Sequence, residues 1–387
     1  MSNYQFDKLT VRRGTNSYKW DEAEGDDVIP MWVADMDFET APCIVEALRK
    51  RVDHGIFGYT LVPESYYEAV IGWFGRRHQW TISREWIMYT SGVVPALSAT
   101  IKALCRVGDK VIVQTPVYNC FFSSIRNNGC EVLENPLHRI GDTYEMDFAD
   151  LELKAADPRA KVLLLCNPHN PAGRVWKSEE LMRLNDICVA NGVMVVSDEI
   201  HCELVMPGYK YTPFASVSAS CLDNSVTLNS PSKSFNTAGL QIANIISNNA
   251  DVRRRIDRAI NINEVCDVNP FGVIALQAAY NKGEEWLTAL NAYLYDNYQA
   301  LCRFFAENLP QLPITRLEGT YLVWVDITAT GLTSDELTER LLEEGKVLVN
   351  SGTMYGPAAG EGFIRLNIAC PWARMMEGLY RIKSVIG

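Results

Sequence analysis

The stretch Lys161-Val162-Leu163-Leu164-Leu165-Cys166 constrains this chain more than any other. Residues 162–166 stay apolar without alternating. That reads as a strand buried on both faces, the habit of a parallel sheet covered by helices. The turn Asn167-Pro168-His169-Asn170-Pro171-Ala172-Gly173 comes next. After it lies a helical pattern from about Ser178 to Asn191, with Ser178 as the expected N-cap and Gly192 past its end. Gly192 to Ser197 is a second buried strand, closing on Asp198-Glu199-Ile200-His201. Further strand patterns lie at Trp86–Thr90, Lys110–Gln114, Glu131–Glu134 and Ser225–Asn229. Helical patterns at Ile44–Arg51, opened by Pro42, and at Glu64–Arg77 come before them. Alternating strands and helices specify an α/β fold with a mostly parallel sheet.

The remainder is organised differently. A long amphipathic segment, Glu284–Asn308, leads to strands at Thr320–Val325 and Phe363–Ile368, with helices at Ser334–Glu344 and Arg374–Ser384. The expected organisation is a large α/β domain over 50–285 and a smaller α+β domain over 286–387, which the arm 1–49 joins. The arm carries Met31-Trp32-Val33-Ala34-Asp35-Met36-Asp37-Phe38, apolar but with two aspartates, odd for plain core and readable either as a strand packed on a domain edge or as an arm that lines a pocket.

A net charge of −11 argues against a nucleic-acid surface. Eleven cysteines without a CxxC pair point to neither a disulfide framework nor a metal site, and fit a reducing cytoplasm. The polar start Met1 to Lys8 lacks a signal-peptide core, and no apolar run approaches a membrane span. The expectation is a soluble, cytoplasmic protein with no membrane partner.

Chemistry-bearing residues fall repeatedly at strand C-terminal ends, where open α/β sheets bind ligands. They are Ser91-Gly92-Val93, Tyr118, Asn170, Asp198, His201, Ser230, Ser232 and Lys233. Lys233 comes after the strand Ser225–Asn229 among hydroxyl and small residues, a place where an amine can be held deprotonated and aimed. Alone, it reads equally well as a surface lysine. The turn at Ser91-Gly92-Val93 enters a helix, so its free N–H groups and positive helix end suit a phosphate. One cofactor needs nearly the whole set. Pyridoxal phosphate takes a lysine for its aldehyde, a carboxylate for its pyridine nitrogen, and donors for its phosphate and phenolate oxygen.

Asn167 to Gly173, Ser197-Asp198-Glu199-Ile200-His201 and Ser230-Pro231-Ser232-Lys233 resemble, in that order, motifs of the fold-type I pyridoxal phosphate enzymes of the aminotransferase class I and II family. The likeness covers nearly the whole chain. Met31–Phe38, Phe235-Asn236-Thr237-Ala238-Gly239-Leu240 and Gly362–Pro371 further resemble the MalY/PatB subgroup, cystathionine β-lyases and related carbon–sulfur lyases. One departure is Trp372, where that subgroup usually has Arg after Cys-Pro.

The resemblance implies roles residue by residue. Lys233 forms the Schiff base and acts as the base. Asp198 pairs with the pyridine nitrogen, Asn170 bonds the phenolate oxygen and reaches the substrate carboxylate, and Tyr118 stacks on the ring. Gly92 and Val93 N–H groups, with the Ser230 and Ser232 hydroxyls, hold the phosphate; turn-holding is the alternative for the serines. His201 touches the ring or its oxygen. Tyr59, in the loop Gly55–Thr60, reaches the phosphate of a neighbouring subunit, which implies a homodimer with shared sites. Arg365 binds the substrate α-carboxylate, the Val33-Ala34 arm closes over the substrate, and Tyr321 lines the pocket.

The implied reaction is α,β-elimination from cystathionine, cysteine or S-substituted cysteines, giving a thiol, pyruvate and ammonia. An aminotransferase is the main rival, because it needs the same cofactor contacts. A non-catalytic regulator on this fold is another, disfavoured by the complete set of catalytic types. A nicotinamide dehydrogenase is excluded, since no strand leads into a GxGxxG. The glycine-rich loop Gly352–Gly362 lacks a P-loop Lys-Ser/Thr.

Overall fold

The computed structural model describes residues 4–23, 25, 27–264 and 266–387. Met1 to Asn3 of the polar start lie outside the described residues. The central sheet has seven strands: β1 (Ile87–Thr90), β2 (Lys110–Val113), β3 (Glu131–Glu134), β4 (Ala160–Cys166), β5 (Met194–Asp198), β6 (Ser225–Asn229) and β7 (Ala243–Ile246). Their order is β1-β7-β6-β5-β4-β2-β3. Neighbours are parallel except for β7, which runs antiparallel to both β1 and β6. The sheet is therefore mixed, with the C-terminal ends of its other six strands at one edge.

The apolar stretch sits in the middle of this sheet as β4, between β2 and β5. Leu163 and Leu165 point into one core layer, while Val162, Leu164 and Cys166 point into the other. All but Cys166 are fully buried, which is why no polar residue alternates with them. The helix after it runs Ser178–Ala190, and its N-cap position is Lys177, not Ser178. The Lys177 N–H donates to Glu180 Oε2 at 2.8 Å, so a carboxylate three residues on closes the helix start instead of a serine hydroxyl.

A second sheet holds β8 (Leu322–Asp326), β9 (Asn350–Ser351) and β10 (Phe363–Asn367) in the antiparallel order β8-β10-β9. The arm joins this part by pairing Ile29–Pro30 with Val347–Leu348 in parallel. These two sheets support a proposed division into a large and a small unit. The boundary expected at residue 50 falls inside the helix Pro42–His54, so Pro42 is the better proposed limit. The glycine-rich loop is explained by packing: a Cβ on Gly360 would lie 1.8 Å from the Gly352 carbonyl oxygen. Only glycine allows that approach.

Candidate active site

A cavity of about 510 Å³ opens at the C-terminal edge of the large sheet, closed from the other side by the arm and by β9 and β10. Gly92, Val93, Tyr118, Asn170, Asp198, His201, Ser232, Lys233, Ala34 and Arg365 all line it. Residues from Gly92 to Lys233 thus meet because five strand ends share one edge, and Ala34 and Arg365 reach the same cavity from the arm and from β10.

Asp198 is the last residue of β5 and is buried. Burial pushes its carboxyl up to about 7, against smaller opposing effects of the Ile200 N–H and Lys233. One oxygen accepts from Ile200 N–H at 3.1 Å; the other has no hydrogen bond among the described residues. Lys233 stands in the loop after β6, and burial lowers its amine below the ordinary lysine value. Its Nζ donates to the Ala34 carbonyl at 2.6 Å, and the Tyr321 hydroxyl donates to the same oxygen at 2.9 Å.

Arg365 projects from the middle of β10. One terminal nitrogen donates to Asn170 Oδ1 at 3.1 Å, the other to the Trp32 carbonyl at 2.7 Å. Its Nε is buried without a partner, and the Tyr355 ring lies 4.8 Å from the guanidinium carbon. His201 is also buried with Nδ1 unpartnered. Burial, then the nearby cations Lys233 and Arg365, push it down to about 3, so its ring is neutral. At the β1 edge, the helix Val93–Leu104 begins with Val93 and Val94, whose N–H groups have no carbonyl a turn back to bind.

Two residues stand elsewhere than the sequence implied. Ser230 does not line the cavity: its hydroxyl donates to the Ile242 carbonyl at 2.6 Å and accepts the Ser232 N–H. It holds the turn, and its proton is spent. Tyr321 lies behind Ala34, with its ring against His201, and acts on the cavity only through that carbonyl. Tyr59 is 98% exposed and outside this chain's cavity. Trp372 is half exposed at a helix start, with its N–H on the Tyr293 hydroxyl, so the departure at that position leaves the cavity wall unchanged.

Sequence reasoning missed the clamp that holds the arm. Asn236 accepts from the Met36 N–H and donates to the Met36 and Phe38 carbonyls, at 2.8–3.0 Å. Asn367 donates to the Val33 and Asp35 carbonyls. The two aspartates that looked odd are paired: Arg12 bonds both Asp35 and Asp37, and buried Lys19 lies 3.2 Å from Asp37. Arm, lysine loop and arginine strand are thus one hydrogen-bonded unit. A separate cluster of His78, Cys202 and Glu203 has its donor atoms within 4.8 Å. The Glu203 carboxylate there already accepts from Trp73, Arg77 and His78, each at 2.7 Å, which makes it an ion-pair knot.

The cavity residues fit pyridoxal phosphate. A raised carboxyl with an unspent oxygen suits a pyridine nitrogen, a depressed amine suits an aldehyde, and free helix N–H groups suit a phosphate. The sequence model for aminotransferase class I and II matches residues 26–382. This chain belongs to the aminotransferase class I and II family. Within it, the chain is 45% identical over 386 residues to the cystathionine β-lyase PatB of Bacillus subtilis, covering 98% of this chain and 99% of that one. A provisionally named, pyridoxal-phosphate-bound aminotransferase of Clostridium difficile 630 superposes with a TM-score of 0.97 at 40% identity, over 100% of both chains. The pyridoxal-phosphate-bound C–S lyase of Staphylococcus hominis superposes with a TM-score of 0.93 at 36% identity, over 100% of this chain and 98% of that one. Among the described residues, no helix is long and apolar enough to cross a membrane.

Proposed function

We propose that this chain is a pyridoxal-phosphate-dependent carbon–sulfur β-lyase acting on cystathionine, cysteine or S-substituted cysteines. The observation that carries this is one cavity holding a depressed lysine amine, a buried carboxyl and an arginine fork with an unspent nitrogen, in a chain similar along its length to carbon–sulfur lyases.

Asp198 would hold the pyridine nitrogen, Asn170 the phenolate oxygen, Tyr118 the ring face, and the Gly92–Val94 turn with Ser232 the phosphate. When bound, the cofactor supplies an aldehyde for amines and an electron sink for charge developing at Cα. Arg365 takes the substrate α-carboxylate in a planar fork, oriented by Asn170 and the Trp32 carbonyl. Lys233, its amine lowered below the ordinary lysine value by burial, removes the Cα proton and returns it to the departing sulfur. The Cα–H and Cβ–S bonds break, the thiol leaves with the proton, and the three-carbon remainder takes up water to give pyruvate and ammonium. Neutral His201 contributes hydrogen bonds rather than charge.

The working form is a homodimer in the cytoplasm. Tyr59 stands in a loop whose Ile56, Phe57 and Leu61 are also exposed, which supports its reaching a second copy's site. Eleven free thiols support a reducing compartment. The direct test is Lys233→Ala. Pyruvate release from L-cystathionine is expected to drop by about 10³-fold or more; turnover near the wild-type rate removes Lys233 from this role.

A further inference from the structure

The charged side chains lining the cavity are Asp198, Lys233 and Arg365, and among the described residues there are no others. The proposed chemistry uses all three. His201 lines the cavity as well, but burial keeps it neutral. A substrate whose departing sulfur carries its own ammonium and carboxylate, as in cystathionine, meets no unspent opposite charge in this wall. Burying such a charge unpaired is strongly unfavourable, so that end of the molecule stays in water and gains nothing from the cavity.

The wall beside Arg365 offers apolar surface instead. The Tyr18 and Trp32 rings lie 5.2 Å apart, tilted by 48°, with the Met354 thioether and the Tyr355 ring completing the group. Two of their polar atoms are engaged within the protein. Trp32 Nε1 donates to the Lys19 carbonyl at 3.0 Å, and the Tyr355 hydroxyl accepts from Asn350 Nδ2 at 2.7 Å. Tyr18 is 65% exposed and Met354 43% exposed, so this is the cavity's mouth, and it keeps apolar area in water. The group is fixed relative to the substrate's anchor. The Trp32 carbonyl bonds Arg365, and Asn350 pairs with Arg365 across β9 and β10. With the α-carboxylate on Arg365 and the Cα proton toward Lys233, the sulfur substituent is the part of the substrate left to reach this mouth. Covering its rings removes apolar surface from water, a gain open only to an apolar substituent.

We infer that this enzyme selects cysteine thioethers bearing apolar, ring-sized S-substituents over substrates whose leaving thiol is charged, a selectivity that rests on the proposed lyase function. Tyr18, Trp32 and Met354 are the residues that set it.

The test compares pyruvate release by the holoenzyme from S-benzyl-L-cysteine and from L-cystathionine. The expected kcat/KM is about 10-fold or more higher for the benzyl substrate, the scale on which an apolar pocket discriminates. Tyr18→Ala and Met354→Ala are each expected to shrink that ratio about 3-fold, by loss of covered apolar area. Damage to folding alone lowers both efficiencies together and leaves the ratio unmoved, and a ratio unmoved in both variants overturns the assignment to this mouth. Equal efficiencies, or a preference for cystathionine, overturn the selectivity while the lyase stands. No pyruvate from either substrate overturns the lyase function, and the selectivity falls with it.

Discussion

Asp198 holds its proton to about 7 in the folded chain, where an unfolded carboxyl releases it near 3.8. Between those values the unfolded state binds fewer protons, so the Asp198 contribution to stability falls as pH rises through that window. It is fully present below about pH 4. Buried His169 and His201, pushed down to about 4 and about 3, act in the opposite sense over part of the same range. The informative quantity is therefore the difference between variants. Cofactor-free Asp198→Asn should gain thermal stability relative to wild type as pH rises from about 4 to about 7. Parallel melting curves at all pH values would contradict a buried, proton-holding carboxyl. Asp198, Asn170, Lys233 and Arg365 were legible in the sequence because each is a chemically distinctive type at or near a recognisable strand. The Ser230 hydroxyl was not, because its direction is decided by the Ile242 carbonyl, twelve residues on, across a turn.

At the scale of elements, the arm matters most, and the sequence made it only half visible. Its pairing of apolar residues with aspartates signalled something other than core, but the partners Arg12, Lys19, Asn236 and Asn367 were not read from local pattern. β7 was missed as well: it is four residues long, and its antiparallel place between β1 and β6 is a long-range choice. β4 was read directly, because a strand buried on both faces leaves a continuous apolar trace. Asn236 tests the arm. It sits at φ +53°, a region Asn tolerates and Gly enters freely, and makes three bonds to the arm. Asn236→Ala should lose about 2–4 kcal/mol in denaturant unfolding, from strain and unmade bonds together. Asn236→Gly should lose less, about 1–3 kcal/mol, because only the bonds are gone. Both variants should also turn over more slowly, since the Trp32 and Ala34 carbonyls that meet Arg365 and Lys233 are no longer held. Unchanged stability in both would mean that the clamp adds nothing to the fold.

For the whole molecule, the α/β architecture with its site at one sheet edge was readable from the alternation of elements and the placing of polar residues. The homodimer was implied only by the family resemblance, since an exposed aromatic loop does not by itself say what covers it. The proposed dimer predicts a solution mass near twice the 43.5 kDa chain. A monomer that retains full activity would remove Tyr59 from the site. The cofactor contacts of this cavity serve amino transfer as well as elimination, and the two reactions part only once the Cα proton has been removed. The decisive measurement is a product balance on holoenzyme given a single cysteine thioether, with thiol, pyruvate, ammonia and the cofactor's spectrum monitored together. A lyase releases thiol, pyruvate and ammonia in equal amounts over many turnovers while the cofactor keeps its aldehyde form. Conversion of the cofactor to its amine form, with an intact sulfur-bearing keto acid and no thiol, would contradict it.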